Sequence, residues 1–200
     1  MRQELERRRA RAENARTVRL AFAALLATGF GCTQTVPVQR FTPRFDADWS
    51  IYAGAEIEMM NFSNWDWDTS TWYFYSADNS FRFDPNDHVQ DYFWNAFHVA
   101  FESLGMRVAS EYEMHAAVPV IWLRFFRIDE REIRTELHID NTAHGIVREI
   151  RVTAPPVPES QRTPERMERR IYDLTNDLIN AVLRDAGFRQ AVVADEGCGP

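Results

Sequence analysis

The sequence predicts an α+β fold: a two-layer sandwich of a mainly antiparallel sheet with two helices on one face. Three observations predict it. Two long segments repeat apolar residues at spacings of three and four, each between helix-start and helix-stop residues. Between them the period drops to two over four successive segments. Upstream of the first helix lie one more strand pattern and a hairpin pattern. Strand, hairpin, helix, four strands, helix is an order that buries one sheet face under helices.

The elements follow in chain order. Residues 51–60 read as a strand, and residues 72–83 as a hairpin around Ala77-Asp78-Asn79. The first helix is DPNDHVQDYFWNAFHVAFESLG. Asp84 is positioned to cap it, Pro85 suits its first position, and Val89, Phe93, Ala96, Phe97, Ala100, Phe101 and Leu104 form its stripe. Gly105 ends it by accepting a left-handed backbone. Residues 106–112 form the next strand. Residues 118–128 (VPVIWLRFFRI) are apolar on both parities and read as a central strand. Residues 132–140 alternate, with Ile133, Leu137 and Ile139 on one face and Glu132, Arg134, Glu136 and His138 on the other. A turn at 141–145 leads to a strand over 146–153, stopped by APPVP. The second helix is TPERMERRIYDLTNDLINAVLRDAG. Thr163 caps it, Pro164 starts it, Met167, Ile171, Leu174, Leu178 and Val182 form its stripe, and Gly187 ends it.

The first thirty residues have a different character. Seven Arg and three Glu lie in residues 2–19, followed by an apolar run from Leu20 to Phe30 broken only by Thr28 and Gly29. That run of 11 residues is half of the roughly twenty that a spanning helix needs. A basic stretch, a short apolar stretch and then small residues make the layout of a secretory signal peptide. The expected organisation is a signal peptide over 1–31, a tether over 32–46, one domain over 47–194 and a disordered tail over 195–200.

The stretch LLATGFGC ends on Gly31-Cys32 and resembles a bacterial lipoprotein signal. The resemblance implies that Cys32 is acylated and becomes the mature N-terminus, so that the membrane is a partner through acyl chains. Inner-membrane retention in such proteins follows an Asp after the cysteine. Thr33 stands there, which implies the outer membrane, facing the periplasm. Only one other cysteine exists, Cys198. With Cys32 acylated, Cys198 is a free thiol or an intermolecular partner. Without acylation, a Cys32–Cys198 bridge is the alternative.

All 23 basic residues are Arg, which reads as a GC-rich genome rather than a nucleic-acid surface. Without residues 1–31, 16 Arg stand against 27 acids, a net charge of −11. Such a chain is not expected to bind nucleic acid or anionic lipid through bulk charge.

The element order also resembles small envelope lipoproteins of the lipopolysaccharide-assembly and transport-auxiliary groups. The matching features are Cys32, the helix ending LGMRV, the strand meander and the C-terminal helix. This implies a non-enzymatic adaptor with an envelope protein partner, by analogy of architecture alone.

Motifs for chemistry are sparse. The segment HIDNTAH places His138, Asp140 and His144 around one strand end, which reads as a polar hairpin end rather than a metal site. His98 reads as a boundary residue of the first helix. There is no G-x-S-x-G elbow, phosphate-binding glycine loop or H-E-x-x-H, so no catalytic residue, cofactor or metal is expected.

The segment NWDWDTSTWYFY, residues 64–75, is the candidate binding element. Trp65, Trp67, Trp72, Tyr73 and Tyr75 interleave with Asp66 and Asp68. Three readings remain open: core packing over a sheet edge, a protein interface, and a glycan- or lipid-binding surface.

Overall fold

The computed structural model describes residues 33–38, 41–110, 118–140 and 145–193. The expected signal peptide, Cys32, the turn holding His144, and the tail with Cys198 lie outside the described residues. The chain divides into residues 1–33 and 34–200, and the elements named below belong to the second unit. Among the described residues no helix is long and apolar enough to cross a membrane.

Among the described residues, nine strands, two long helices and a short one follow one another: β1 (Gln34–Pro37), β2 (Glu56–Met59), β3 (Ser63–Asn64), β4 (Phe74–Tyr75), β5 (Phe81–Asp84), α1 (Val89–Ser103), β6 (Arg107–Ser110), β7 (Val120–Ile128), β8 (Glu132–Asp140), β9 (Gly145–Thr153), α2 (Pro164–Arg184) and α3 (Ala186–Val192). The main sheet runs β6-β2-β7-β8-β9, with β3 lying along β7 beyond the end of β2. A smaller sheet runs β1-β5-β4.

The α+β class holds, but the sheets are mixed. β2 is parallel to β6 and β7, β3 is parallel to β7, and β1 is parallel to β5. Only β4-β5 and the β7-β8-β9 meander are antiparallel. The reason is connectivity. The hairpin and α1 carry the chain from β2 back to a parallel neighbour, as a crossover must. Periodicity within one segment carries no information about such long-range pairing.

Three local expectations also shift. Asp84 closes β5 instead of capping α1, and its Oδ1 accepts the Asn86 N–H at 3.1 Å. The helix starts at Val89, with His88 at its N-cap. Gly187 does not end α2. Asp185 breaks the helix and its Oδ1 accepts the Phe188 N–H at 2.9 Å, starting α3. Gly187 sits inside α3 because a Cβ there would meet Asp185 Oδ1 at 3.0 Å and Ile146 Cγ2 at 3.3 Å. Finally, residues 34–38, expected as tether, carry β1 with the wholly buried Val36, and Val38 just after it is wholly buried too.

The helices cover one face of the main sheet. Ile121, Leu123 and Phe125 of β7, and Ile133, Leu137 and Ile139 of β8, point into this core. Its centre is aromatic: Phe125 lies 4.7 Å from Phe93 and 6.2 Å from Phe62, and Phe62 stands edge-on to Phe97 at 5.6 Å. Removing one such ring costs about 3–5 kcal/mol. At the other end Tyr52 donates to the Leu183 carbonyl at 2.5 Å, and burial pushes its phenol up to about 12. Gly105 takes φ +79 after α1, as its place requires.

Residues 41–49 lie against α2, held by a ladder of two asparagines one turn apart. Asn176 Oδ1 accepts from Arg44 N at 2.6 Å. Asn180 Oδ1 accepts from Trp49 Nε1 at 3.1 Å and Asp46 N at 3.3 Å, and its Nδ2 donates to the Arg44 carbonyl at 3.0 Å. Ion pairs Arg44–Asp173 and Arg184–Asp46 flank this strap.

Candidate interaction surface

The aromatic segment forms a braced loop between β3 and β4. Asn64, at the end of β3, organises it: its Oδ1 accepts the N–H groups of Asp66 and Asp68, both at 2.9 Å. Trp67 adopts φ +63, a left-handed geometry that a tryptophan takes only when its surroundings enforce it. Asp68 then receives the Ser70 amide at 2.8 Å and the Ser70 hydroxyl at 2.5 Å, which holds its carboxyl below the usual carboxylate range. Gln90, buried on α1, donates to the Asp68 carbonyl and to Thr71 Oγ1, both at 3.1 Å. The loop is thereby pinned to both the sheet and the helix.

What this frame presents is aromatic. Trp65 and Trp67 are 61% exposed, Trp72 58%, Tyr73 44% and Tyr75 41%. None of the five fills the core, so the first of the three sequence readings does not describe them. Phe74, between Tyr73 and Tyr75, is the ring that turns inward, stacking on Phe83 at 4.8 Å. The five also diverge. Trp72 packs edge-on against His88 at 4.4 Å. Tyr73 meets Tyr75 at 5.5 Å and lies under Arg82 at 5.2 Å. Trp67 turns to the open face of the main sheet, where the Arg124 guanidinium lies 4.9 Å from its ring.

That open face has rows set by strand register. Trp122, His138 and Val147 occupy one row, Arg124, Glu136 and Glu149 the next, and Arg127, Arg134 and Arg151 a third. His138 stacks on Trp122, and its Nε2 lies 3.2 Å from Glu136 Oε2. Two influences compete at His138: burial lowers its pKa, while Glu136 raises it. Burial prevails, and the His138 pKa lies below its ordinary value. Arg124 Nη2 donates to the same Glu136 oxygen, Oε2, at 2.5 Å. A bulge after Phe125 leaves Phe126 on the surface, with Arg124 at 5.2 Å and Arg134 at 5.8 Å from its ring.

Beside these rows the β7–β8 turn buries three carboxylates, Asp129, Glu130 and Glu132. Each has a cation. Arg127 Nε donates to Asp129 at 2.6 Å, Arg151 pairs with Glu132 at 2.8 Å, and Arg162 Nη2 reaches Glu130 at 3.4 Å. Arg162 also forks onto Asp78 in the β4–β5 turn, holding that carboxyl far below the usual range, while Glu130 Oε2 accepts the Ala77 N–H at 2.8 Å. The cluster therefore ties the small sheet to the main one.

Other groups fall elsewhere. His138 and Asp140 share a strand face but form no metal-type cluster, and His144 lies outside the described residues. Among the described residues, Asp87, His88 and Asp91 bring ligand atoms within 4.8 Å of one another at the start of α1. The His88 Nδ1–Asp91 contact of 3.0 Å accounts for part of that closeness. His98 stacks on Trp94 at 5.0 Å, a boundary position. Two open depressions, of about 650 and about 280 Å³, lie along α2. The first is lined by Arg166, Arg169 and Arg170, the second by Asn176 and Asn180, and neither includes a residue of the aromatic segment.

No protein-family model matches this chain, and no curated protein does. Two solved structures are similar to this chain. The crystal structure of a Xanthomonas campestris protein of the DUF330 family superposes with a TM-score of 0.46 and 11% identity, over 75% of this chain and 94% of that one. The crystal structure of a second uncharacterised protein superposes with a TM-score of 0.52 and 10% identity, over 76% of this chain and 97% of that one. DUF330, the family of the first of them, is an uncharacterised bacterial one. At these identities the likeness is one of fold alone.

Sequence reasoning found the five aromatics but missed Arg124, which lies against Trp67, and Phe126, Arg134 and Trp122, which share the open face of the sheet with it. A signal was there: residues 118–128 are apolar on both parities, and the parity opposite Ile121, Leu123 and Phe125 holds Trp122 and Phe126. Burial on both faces was one explanation of such a strand, and an aromatic outer face is the other.

Proposed function

We propose that this chain is a lipid-anchored, periplasm-facing adaptor of an envelope assembly or transport complex, without catalytic activity of its own. The observation that carries the reading is the exposure of Trp65, Trp67, Trp72, Tyr73 and Tyr75 on a loop held rigid by Asn64, Asp68 and Gln90. Rings pre-ordered in this way lose little entropy on binding, and tryptophan beside arginine is the composition of interface hot spots. The anchor rests on the leader pattern ending at Cys32. Acyl chains there contribute about 0.8 kcal/mol per buried CH₂ and confine the domain near one membrane, raising its effective concentration for a membrane-bound partner. A glycan- or lipid-binding module using the same aromatic segment is the alternative reading.

The test uses the full chain in its own envelope. Trp65→Ala with Trp67→Ala should leave thermal unfolding in place and abolish crosslinked capture of a defined membrane partner. A large loss of stability would refute the interface. Mass analysis of the same material tests the anchor: an unmodified Cys32, or a mature chain starting elsewhere, would overturn it.

A further inference from the structure

The aromatic loop continues onto the sheet as a four-member stack, Trp67–Arg124–Phe126–Arg134. Arg124 lies over two rings, Trp67 at 4.9 Å and Phe126 at 5.2 Å, and Arg134 lies over the far side of the series at 5.8 Å from Phe126. The two guanidiniums differ in one respect. Arg124 is neutralised by Glu136 at 2.5 Å. Arg134 is exposed, and among the described residues it has neither a carboxylate partner nor a hydrogen-bond acceptor.

Register makes this an unusual place for an unpaired cation. Arg127, Arg134 and Arg151 face one another across three adjacent strands. Like charges directly opposite are destabilising in a sheet. The outer two are compensated from below, Arg127 by Asp129 and Glu132, and Arg151 by Glu132, all on buried carboxylates. The middle one is not. Its guanidinium lies 5.8 Å from the Phe126 ring and its N–H donors meet no acceptor among the described residues, so the fork is open to a carboxylate through two parallel hydrogen bonds.

We propose that Arg134 is the docking point for a carboxylate side chain of the protein partner, flanked in that partner by aromatic or apolar residues that lie on Phe126 and Trp67. This rests on the adaptor reading and specifies the partner's chemistry. The chain's negative net charge complements the proposal by repelling indiscriminate polyanions, so that an acidic group is accepted only where its neighbours fit the rings.

Two fluorescent decapeptides are suitable probes against the whole mature protein: a doubled Gly-Phe-Glu-Phe-Gly, and the same peptide with Gln for Glu. The Glu peptide should bind about tenfold more tightly, the scale of one charge-assisted fork. Arg134→Gln should erase that preference, while Arg166→Gln, on α2, should retain it, and thermal unfolding should be the same in all three proteins. Equal binding of the two peptides, or a preference that survives Arg134→Gln, would overturn the proposal. Binding of phosphatidylglycerol vesicles lost in Arg134→Gln, with neither peptide bound, would overturn it too by assigning the arginine to lipid. The adaptor reading fails separately, if Trp65→Ala with Trp67→Ala leaves partner capture intact.

Discussion

The imidazole of His138 lies on the indole of Trp122, ring centroids 4.8 Å apart and planes 12° from parallel. The stack joins the row that carries Glu136 and Arg124 to an aromatic platform. It also adds to the burial that lowers the histidine's pKa.

His138 is therefore expected to titrate below 6.5, with desolvation as the leading cause and Glu136 opposing it. The sign for stability follows. The unfolded chain takes up this proton first, so the contribution of neutral His138 is complete above 6.5 and is lost as the pH falls below it. NMR titration of the ring should give a midpoint below 6.5, and Trp122→Ala should raise it. A midpoint above 6.5 in the intact protein would show that Glu136 governs.

Asp78 acts in a more acidic window. The Arg162 fork lowers its pKa from 3.8, against a smaller desolvation effect. Its stabilising contribution is present above 3.8 and is lost as the pH falls through the lower folded value. Melting temperatures compared at about pH 5 and about pH 2.5 should drop more for the intact protein than for Asp78→Asn. Equal drops would mean that the fork contributes nothing in solution.

Asn180 is the centre of the strap. Asn180→Ala removes its bonds to Arg44, Asp46 and Trp49 together and should cost about 1–3 kcal/mol in urea unfolding. Tryptic cleavage after Arg44 should accelerate by more than global destabilisation explains. Unchanged cleavage would show that the flanking ion pairs suffice.

Gly187 is constrained by space, since its backbone is not left-handed. Gly187→Ala drives a methyl against Asp185 Oδ1 and Ile146, and should cost about 1–3 kcal/mol despite the better helix propensity of alanine. A stabilised variant would show that α3 can shift outward freely.

Local patterns were legible where local physics decides. The stripe from Met167 to Val182 and the cap at Thr163 follow from spacing, and they appear as read. So does the alternation of β8, because each of its faces meets a single environment. What one segment cannot disclose is its neighbour. The parallel course of β2 beside β7, and the separation of β1, β4 and β5 into their own sheet, depend on contacts far apart in sequence. The site divides likewise. The aromatics of residues 64–75 stood out by composition, whereas Arg134 looked like any outward arginine until register set it between Arg127 and Arg151.

β1 begins at Gln34, and Val36 is wholly enclosed two residues later. If Cys32 bears the proposed acyl chains, Thr33 alone separates it from this strand, a reach of roughly 7 Å even when fully extended. The domain would then behave as a bracket fixed to the bilayer surface instead of a float on a line. Any partner would have to come to within a domain's width of that membrane, and lengthening the connection with inserted residues would test how much of the affinity is geometric.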